Sequence, residues 1–301
     1  MSAPGDPIQP DPKSEPGADS GMTADPPSQS DDAESPTKAA TSPGRWGDLA
    51  MRIVSGLALA GLGLATVWAG GWVFITFVSI LSGIVVWELA GMLAPADRGF
   101  GVQMGAMSGL AGYCAIWGPA AAVVPTLLVP VIVGYVTLPE HRRVFLPFLV
   151  LILLAAFGMS SVRDAFGFVW MLWLVCIVAG TDIAGYFAGR LIGGPKLWPA
   201  LSPKKTWSGT AAGWVAALIL GLIFMQIIGT GLWLALLSVA ASVASQAGDL
   251  AQSAVKRRAG VKDSGSLLPG HGGLFDRFDG MIAASVLVLA VMETTGYPPG
   301  P

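Results

Sequence analysis

Long runs of apolar residues recur between residues 53 and 295, separated mostly by short polar connections. A helix needs about 20 such residues to cross the hydrocarbon core of a bilayer, and several runs approach that length. Hydrophobic residues make up 53% of the chain and charged residues only 12%, roughly half the charged fraction of an average soluble domain. The sequence therefore predicts an all-α, polytopic membrane protein.

Hydropathy divides these runs into about nine transmembrane helices. Some are shorter than a full span, and flanking residues, local thinning of the bilayer or partial insertion would make up the difference. The predicted segments are Ile53–Ala69, Trp72–Met92, Val102–Trp117, Ala120–Val136, Val144–Ser160, Phe166–Gly180, Ala211–Ile228, Leu232–Leu250 and Gly280–Thr295.

The positions of the basic residues support this count independently of hydropathy. If the N-terminus is cytoplasmic, fourteen of the fifteen Lys and Arg residues after residue 44 flank cytoplasmic helix ends, and only Arg163 falls outside. Cytoplasmic connections carry the excess of basic residues in membrane proteins. We therefore predict an N-terminus inside and a C-terminus outside.

Residues 1–44 differ from the rest of the chain. They are rich in Pro, Ser, Asp, Gly and Ala and contain eight acidic and two basic residues without apolar periodicity. Such a segment cannot bury enough apolar surface to offset the entropy lost on ordering. We predict a disordered, acidic, cytoplasmic tail, followed by N-terminal transmembrane helices over 45–165 and a chemically richer membrane region over 166–301.

Polar residues form a stripe on the eighth segment. At 100° per residue they fall within an arc of about 100°. Such a stripe avoids lipid and faces a protein interior or a wet cavity, although its serines alone would also suit helix packing. The stripe consists of Ser238, Ser242, Ser245, Asp249, Gln252, Ser253 and Lys256.

Further polar residues precede the seventh segment, in the predicted cytoplasmic loop 184–210. Ser202, Lys204, Lys205 and Thr206 lie at a helix start, where hydroxyls, lysines and free backbone amides suit phosphate. An ordinary basic loop explains them equally well. Asp182 closes the sixth segment and needs a partner. Glu88, the single acid inside the first five segments, is either functional or reaches the interface from a cytoplasmic helix end.

The second predicted cytoplasmic loop, 256–280, combines cations with acids. Lys256, Arg257, Lys262 and Arg277 suit phosphates. Asp276 and Asp279 are three residues apart and would share a face of a helix. Carboxylates beside phosphate-binding cations hold Mg²⁺ in proteins. The loop also contains Asp263 and His271, and a lone histidine is more often a structural hydrogen-bond donor than a catalyst.

These residues carry a resemblance to a known family. The stretch that resembles the phosphatidate cytidylyltransferase (CDP-diacylglycerol synthase) signature is Ser253-x-x-Lys256-Arg257-x₄-Lys262-Asp263-x-Gly265-x₂-Leu268-Pro269-x-His271-Gly272-Gly273-Leu274-x-Asp276-Arg277-Phe278-Asp279. Gly248-Asp249-Leu250, and the upstream run from Asp182 through Gly185-Tyr186-Phe187-Ala188-Gly189-Arg190 to Ser202-Pro203-Lys204-Lys205-Thr206-Trp207, are similar too. Ser208 departs from the pattern, which has Glu there. The resemblance covers residues 180–280.

The resemblance implies the reaction CTP + phosphatidate → CDP-diacylglycerol + pyrophosphate at the cytoplasmic face of the cell membrane. It implies a Mg²⁺ cofactor held by Asp249 and Asp276, a possible second cation such as K⁺, and a homodimer. CTP, phosphatidate and membrane lipid are thus the expected partners, and nucleic acid is not.

On this basis we assign roles within the candidate site. Catalysis would consist of positioning and charge neutralisation, with the lipid headgroup admitted along the polar stripe while its acyl chains stay in the bilayer. The catalytic candidates are Asp249, Asp276, Lys256, Arg257 and Asp279. The substrate-binding candidates are Ser202, Lys204, Lys205, Thr206, Lys262, Asp263, His271, Arg277, Asp182 and Ser253.

The sequence argues against two other functions. CDP-alcohol phosphotransferases begin their motif Asp-Gly-x-x-Ala-Arg, whereas here Ala284 stands in place of the Arg after Asp279-Gly280-Met281-Ile282-Ala283 and no Asp follows, which excludes that family. A transporter would place ionisable residues near the bilayer midplane in related halves. Here they gather at the predicted cytoplasmic ends of the sixth to ninth segments.

Overall fold

The computed structural model describes residues 45–138, 140–267 and 272–296, with the side chains of residues 45–53 excepted. This part of the chain contains nine helices and one two-stranded hairpin. In chain order they are α1 (Arg45–Ala69), α2 (Gly71–Leu93), α3 (Arg98–Trp117), α4 (Ala120–Thr137), α5 (Arg142–Phe166), α6 (Phe168–Leu191), β1 (Lys196–Trp198), β2 (Ser202–Thr206), α7 (Trp207–Ile228), α8 (Trp233–Arg258) and α9 (Phe275–Thr295).

Seven of these helices, α2 and α4 to α9, are long and apolar enough to cross a membrane. The predicted all-α, multi-pass class is therefore confirmed, whereas the count of nine spans stays a prediction. The described apolar part of α1, Val54–Ala69, is shorter than a full span. The other exception, α3, contains several glycines in place of large apolar residues.

The glycines of α3 allow it to pack directly on the backbone of α2. A Cβ added to Gly105 would lie 2.6 Å from the carbonyl oxygen of Gly83, and one added to Gly109 would lie 2.9 Å from that of Ser79. Small residues at such spacing let helix backbones approach closely inside a membrane. The glycines of α3 therefore lower its hydropathy and at the same time let it pack closely against α2.

Two clusters of buried apolar side chains hold the helices together. The first includes Trp173 on α6, which is fully buried and donates a hydrogen bond from Nε1 to Ser238 Oγ on α8 at 2.8 Å. The second includes Phe145 on α5 and Phe275 at the start of α9. Both clusters combine residues from before and after residue 165, so the early helices brace the region that carries the polar motifs.

Several helices extend beyond the predicted apolar segments. α6 continues to Leu191, α8 to Arg258, and α9 begins at Phe275. Hydropathy falls where charged residues begin, but the helical hydrogen bonds continue past that point. Residues 184–191 are consequently helix and not loop. The rest of the predicted loop 184–210 contains the antiparallel β1–β2 hairpin, with Lys196 opposite Thr206, which hydropathy did not predict.

Arg163 fastens the end of α5 to the end of α1. Its Nε donates to the carbonyl oxygen of Val67 at 2.6 Å and its Nη2 to that of Trp68 at 3.1 Å. The C-terminal ends of α1 and α5 are therefore on the same side, as the predicted topology requires. The predicted disorder of residues 1–44, His271 and the end of the chain after residue 296 lie outside the described residues.

Candidate active site

A polar cleft of about 440 Å³ lies between α6, the hairpin, α7 and α8. Its lining brings together several predicted site residues from separate parts of the sequence: Asp182, Lys204, Lys205, Thr206 and Asp249. Glycines let its walls approach each other, since a Cβ on Gly209 would lie 2.5 Å from the carbonyl oxygen of Gly185. The cleft also contains Arg190, which sequence reasoning did not select.

An ion pair between Lys205 and Asp249 crosses this cleft. The Lys205 Nζ lies 2.5 Å from Asp249 Oδ2, and the two side chains are 24% and 33% exposed. Asp182 on α6 and Asp279 on α9 lie close enough to Asp249 to interact with it electrostatically. Asp249 thus has two further carboxyl groups in its neighbourhood, Asp182 beside Lys205 and Asp279 beside Lys256.

The base of the hairpin is fastened by hydroxyl groups. Thr206 is buried, and its Oγ1 accepts a hydrogen bond from the amide of Gly209 at 3.2 Å, which caps α7. Ser208, which stands where the family pattern has Glu, donates from Oγ to the carbonyl oxygen of Gly193 at 2.5 Å. Ser202 pairs opposite Trp198 in the hairpin and lies outside the cleft lining. These hydroxyl groups therefore act mainly by holding the hairpin and the start of α7 in place around the cleft.

Lys256 and Asp276 form a second ion pair, and we refer to the pairs Lys205–Asp249 and Lys256–Asp276 as the two charged nodes. Asp276 Oδ1 accepts from Lys256 Nζ at 2.7 Å and from Gln252 Nε2 at 3.0 Å. Its Oδ2 accepts from the amides of Ser264 at 2.9 Å and Gly273 at 3.1 Å. A carboxylate offers about four acceptor positions, and here the protein fills them. Asp276 therefore organises the loop between α8 and α9.

Glu88 supports the same loop from α2, so the interpretation as an interface residue is wrong. The side chain is 3% exposed. Its Oε2 accepts from Ser264 Oγ at 3.0 Å and from the amide of Phe275 at 2.8 Å, and its Oε1 accepts from the amide of Leu274 at 2.9 Å. A Cβ on Gly273 would lie 2.6 Å from the Glu88 carboxylate. The signal for this role was a carboxylate in an otherwise uncharged membrane segment.

The polar stripe of α8 is buried, as predicted. Ser238, Ser242, Ser245 and Gln252 are at most 1% exposed. The two predicted roles of the stripe, helix packing and the lining of a polar site, both occur, at different places along α8. Toward its start it packs helices together, since Thr181 Oγ1 donates to Ser242 Oγ at 2.8 Å. Toward its end it carries the two charged nodes of the site.

The other predicted site residues surround these nodes. Ser253 Oγ lies 3.4 Å from Asp249 Oδ1, a weak contact. Four side chains lie exposed around the end of α8 and the start of α9: Arg257, Lys262, Asp263 and Arg277.

Comparison with known proteins agrees with this geometry. A model described as the cytidylyltransferase family matches residues 50–295. The chain belongs to this family. The resemblance found on the signature from Ser253 to Asp279 is thus confirmed, and with it the class of nucleotidyltransferase.

Several bacterial family members are similar to this chain. A phosphatidate cytidylyltransferase of Brucella suis is 49% identical over 138 residues, which cover 44% of this chain and 51% of the relative. One of Bacillus subtilis is 43% identical over 122 residues, 40% and 45% of the two chains. One of Staphylococcus epidermidis is 33% identical over 236 residues, 73% and 82%. The chain thus spans about half the length of the first two relatives and most of the third.

The donors at the site suit the Mg²⁺ implied by the family. Within the described residues, no three His, Cys, Asp or Glu side chains are arranged around one ion position. Mg²⁺, however, takes only one or two carboxylates besides substrate phosphates and water. Among the described residues, Asp249 Oδ1 has only the weak contact to Ser253. Gln252 Oε1, beside Asp276, is a buried oxygen without a hydrogen-bond partner in the described part of the chain. Oxygen donors for a hard cation are therefore present at both nodes.

Proposed function

We propose that this chain is a phosphatidate cytidylyltransferase that converts CTP and phosphatidate to CDP-diacylglycerol and pyrophosphate. The observation that carries the proposal is the pair of cation–carboxylate nodes on α8, Lys205–Asp249 and Lys256–Asp276. They lie at one end of a bundle of membrane-spanning helices, where a soluble nucleotide can meet a lipid headgroup. The names of the relatives support the same reaction.

The cations of the cleft would bind the nucleotide. Lys204, Lys205 and Arg190 line one cavity, and lysine and arginine bind phosphate oxygens through charge-assisted hydrogen bonds. The phosphate of phosphatidate is already ionised and needs no strong base. Its oxygen attacks the α-phosphorus of CTP, the new P–O bond forms, and the bond to the leaving pyrophosphate breaks. Lys256 is placed to compensate charge on the reacting phosphates.

Asp249 and Asp276 would hold the Mg²⁺. Oδ1 of Asp276 is the oxygen that would bind a metal, because its partners are the side chains of Lys256 and Gln252, which would have to turn aside for the ion, whereas Oδ2 is bound by backbone amides. When bound, the ion stabilises charge that develops on the transferred phosphoryl group. Asp182 and Asp279 lie near Asp249 and would supply further carboxyl oxygens beside the cation. A second cation such as K⁺ and a homodimer belong to the proposal through the family resemblance alone.

The proposed location is the cell membrane, with the cleft on the cytoplasmic side. CTP is a cytosolic nucleotide, and the basic residues around the cleft belong on that side by the positive-inside rule. The transporter alternative receives no support from the site, because its charged residues lie on the hairpin and in those halves of α6, α8 and α9 that face the predicted cytoplasmic side.

The deciding experiment measures pyrophosphate release by the purified full chain supplied with CTP and Mg²⁺. We expect release only when phosphatidate is present, with CDP-diacylglycerol formed in equal amount. Diacylglycerol, which lacks the phosphate nucleophile, and ATP in place of CTP are matched controls that should give none. Pyrophosphate release without phosphatidate, or none with it, would reject the proposed function.

A further inference from the structure

A second, larger cavity of about 780 Å³ lies between α1, α2, α6 and α9. Its lining is apolar apart from Ser55, Cys176 and Arg277. Ligand cavities in proteins have this size and character, mostly apolar with a few polar groups that fix the orientation of the ligand. The cavity is distinct from the polar cleft, which lies between α6, the hairpin, α7 and α8.

The cavity runs along the helices for about the depth of one bilayer leaflet. Its lining extends along α1 from Ser55 to Val67 and along α6 from Met171 to Ile183, which is about 18 Å at 1.5 Å per residue. Half of the ~30 Å hydrocarbon core is about 15 Å. A single lipid acyl chain, which spans one leaflet, matches this length.

One end of the cavity adjoins the candidate active site. Arg277, which lines it, directly follows Asp276 on α9, and Ile183 directly follows Asp182 on α6. The opposite end, near Val67 and Met171, has an entirely apolar lining. The cavity thus has a cationic mouth beside the carboxylates of the site and an apolar interior that leads away from it.

We propose that this cavity binds one acyl chain of the lipid substrate, whose phosphate lies at the mouth beside Arg277. The inference rests on the proposed function and names where the lipid is held. An anionic headgroup on a long apolar chain complements a cavity whose described lining carries one cation, Arg277, at one end. The sequence had led us to expect that both acyl chains stay in the bilayer. The cavity instead gives the enzyme a means to select chain length.

Two glycines of α1 provide a matched test. A Cβ on Gly63 or on Gly61 would meet no atom within 4 Å, so both positions accept a larger side chain. Gly63 lines the cavity, whereas Gly61 is exposed and lies outside its lining. Gly63→Phe should therefore fill the cavity, and Gly61→Phe should make the same change in helix composition without entering it.

The purified variants are assayed with dioleoyl- and dihexanoyl-phosphatidate. We expect Gly63→Phe to lower kcat/KM for the long-chain lipid by about tenfold or more, since a blocked apolar pocket discriminates at that level. The kcat/KM of Gly63→Phe for the short-chain lipid should equal that of the unmodified enzyme. Gly61→Phe should leave kcat/KM unchanged for both lipids. An equal loss on both lipids, or no loss on the long-chain lipid, would overturn the proposal.

Lipid retention separates this inference from the proposed function. Native mass spectrometry of the unmodified chain, incubated with dioleoyl-phosphatidate, should detect bound lipid, and Gly63→Phe should retain less of it than Gly61→Phe. Equal retention by the two variants would count against the acyl-chain site. If neither lipid supports pyrophosphate release by the unmodified chain, the proposed reaction fails, whereas retention still tests the cavity.

Discussion

The carboxylate of Glu88, buried in α2, accepts a 2.8 Å hydrogen bond from the backbone amide of Phe275, the first residue of α9. Together with the bonds from Leu274 and Ser264, this contact fixes where α9 begins. Asp276 follows immediately. The position of a proposed metal ligand therefore depends on an acid in a helix from the other half of the chain.

We expect Glu88→Ala to lower the free energy of unfolding by ~1–3 kcal/mol, because it leaves buried amides without an acceptor. CTP turnover should fall with it. Glu88→Gln retains one oxygen acceptor and should have an intermediate effect. Thermal unfolding in detergent and turnover with phosphatidate measure both quantities. Glu293→Ala, an exposed acid in α9, is the control. Unchanged unfolding of Glu88→Ala would contradict the bracing role.

Asp249→Asn and Asp276→Asn should each reduce CTP turnover by several orders of magnitude while the protein still inserts into the membrane. Asn preserves the shape of the side chain but removes the anion that holds a divalent ion. Turnover is measured across a Mg²⁺ titration, with gel filtration as a check on folding. Asp164→Asn, exposed at the end of α5, should behave as the unmodified enzyme. Near-normal turnover at low Mg²⁺ in either variant would remove that acid from the metal site.

The same two variants should differ in stability. The Asp276 side chain is 10% exposed and paired with Lys256, so its neutralisation leaves a nearly buried lysine without its partner, which is strongly destabilising. Asp249 and its partner are more exposed, and the cost there should be ~1 kcal/mol or less. Equal unfolding temperatures for the two variants would disagree with this difference.

Lys205→Gln should raise the KM for CTP about tenfold or more, because a hydrogen bond to a charged group is worth ~1.5–3 kcal/mol. Lys196, on the neighbouring strand of the hairpin, is exposed and lies outside the cleft lining. Lys196→Gln is therefore the matched control and should leave KM unchanged. If both substitutions have the same effect, the hairpin attracts CTP only through its overall charge.

Reporter fusions before residue 1 and after residue 301 test the topology. We expect the first to report from the cytoplasm and the second from the outside, given the distribution of basic residues. A C-terminal reporter inside the cell would exclude nine spans, and α1 and α3 are the helices whose crossing would then be in doubt.

Hydropathy predicted the existence of most helices because lipid leaves the backbone no alternative to internal hydrogen bonding. It did not predict their ends, since α6 and α8 continue as helices where the side chains become polar. The β2 strand was missed because Ser202-Pro203-Lys204-Lys205 has no alternation of apolar and polar residues. Local sequence contains no signal for such a strand.

The candidate site was predicted as a set of residues but not as an arrangement. The signature selected Asp249, Lys256 and Asp276, and the structure adds their pairing. Lys205 and Asp249 come together through the hairpin, a contact that spacing in the sequence does not encode. Glu88 was found as an isolated acid, but the groups that bind it lie 176 to 187 residues further along the chain.

That separation has a consequence for biogenesis. At synthesis rates of about 5–20 residues per second, α2 emerges from the ribosome roughly ten to forty seconds before Phe275, the last partner of Glu88. Until then the acid lacks the complete set of partners that it binds in the finished protein. Because these partners precede or begin the final helix, the loop that carries Asp276 cannot be fastened before that helix is made. A chain interrupted before Phe275 would therefore be catalytically silent, and activity would appear only after α9 has been made.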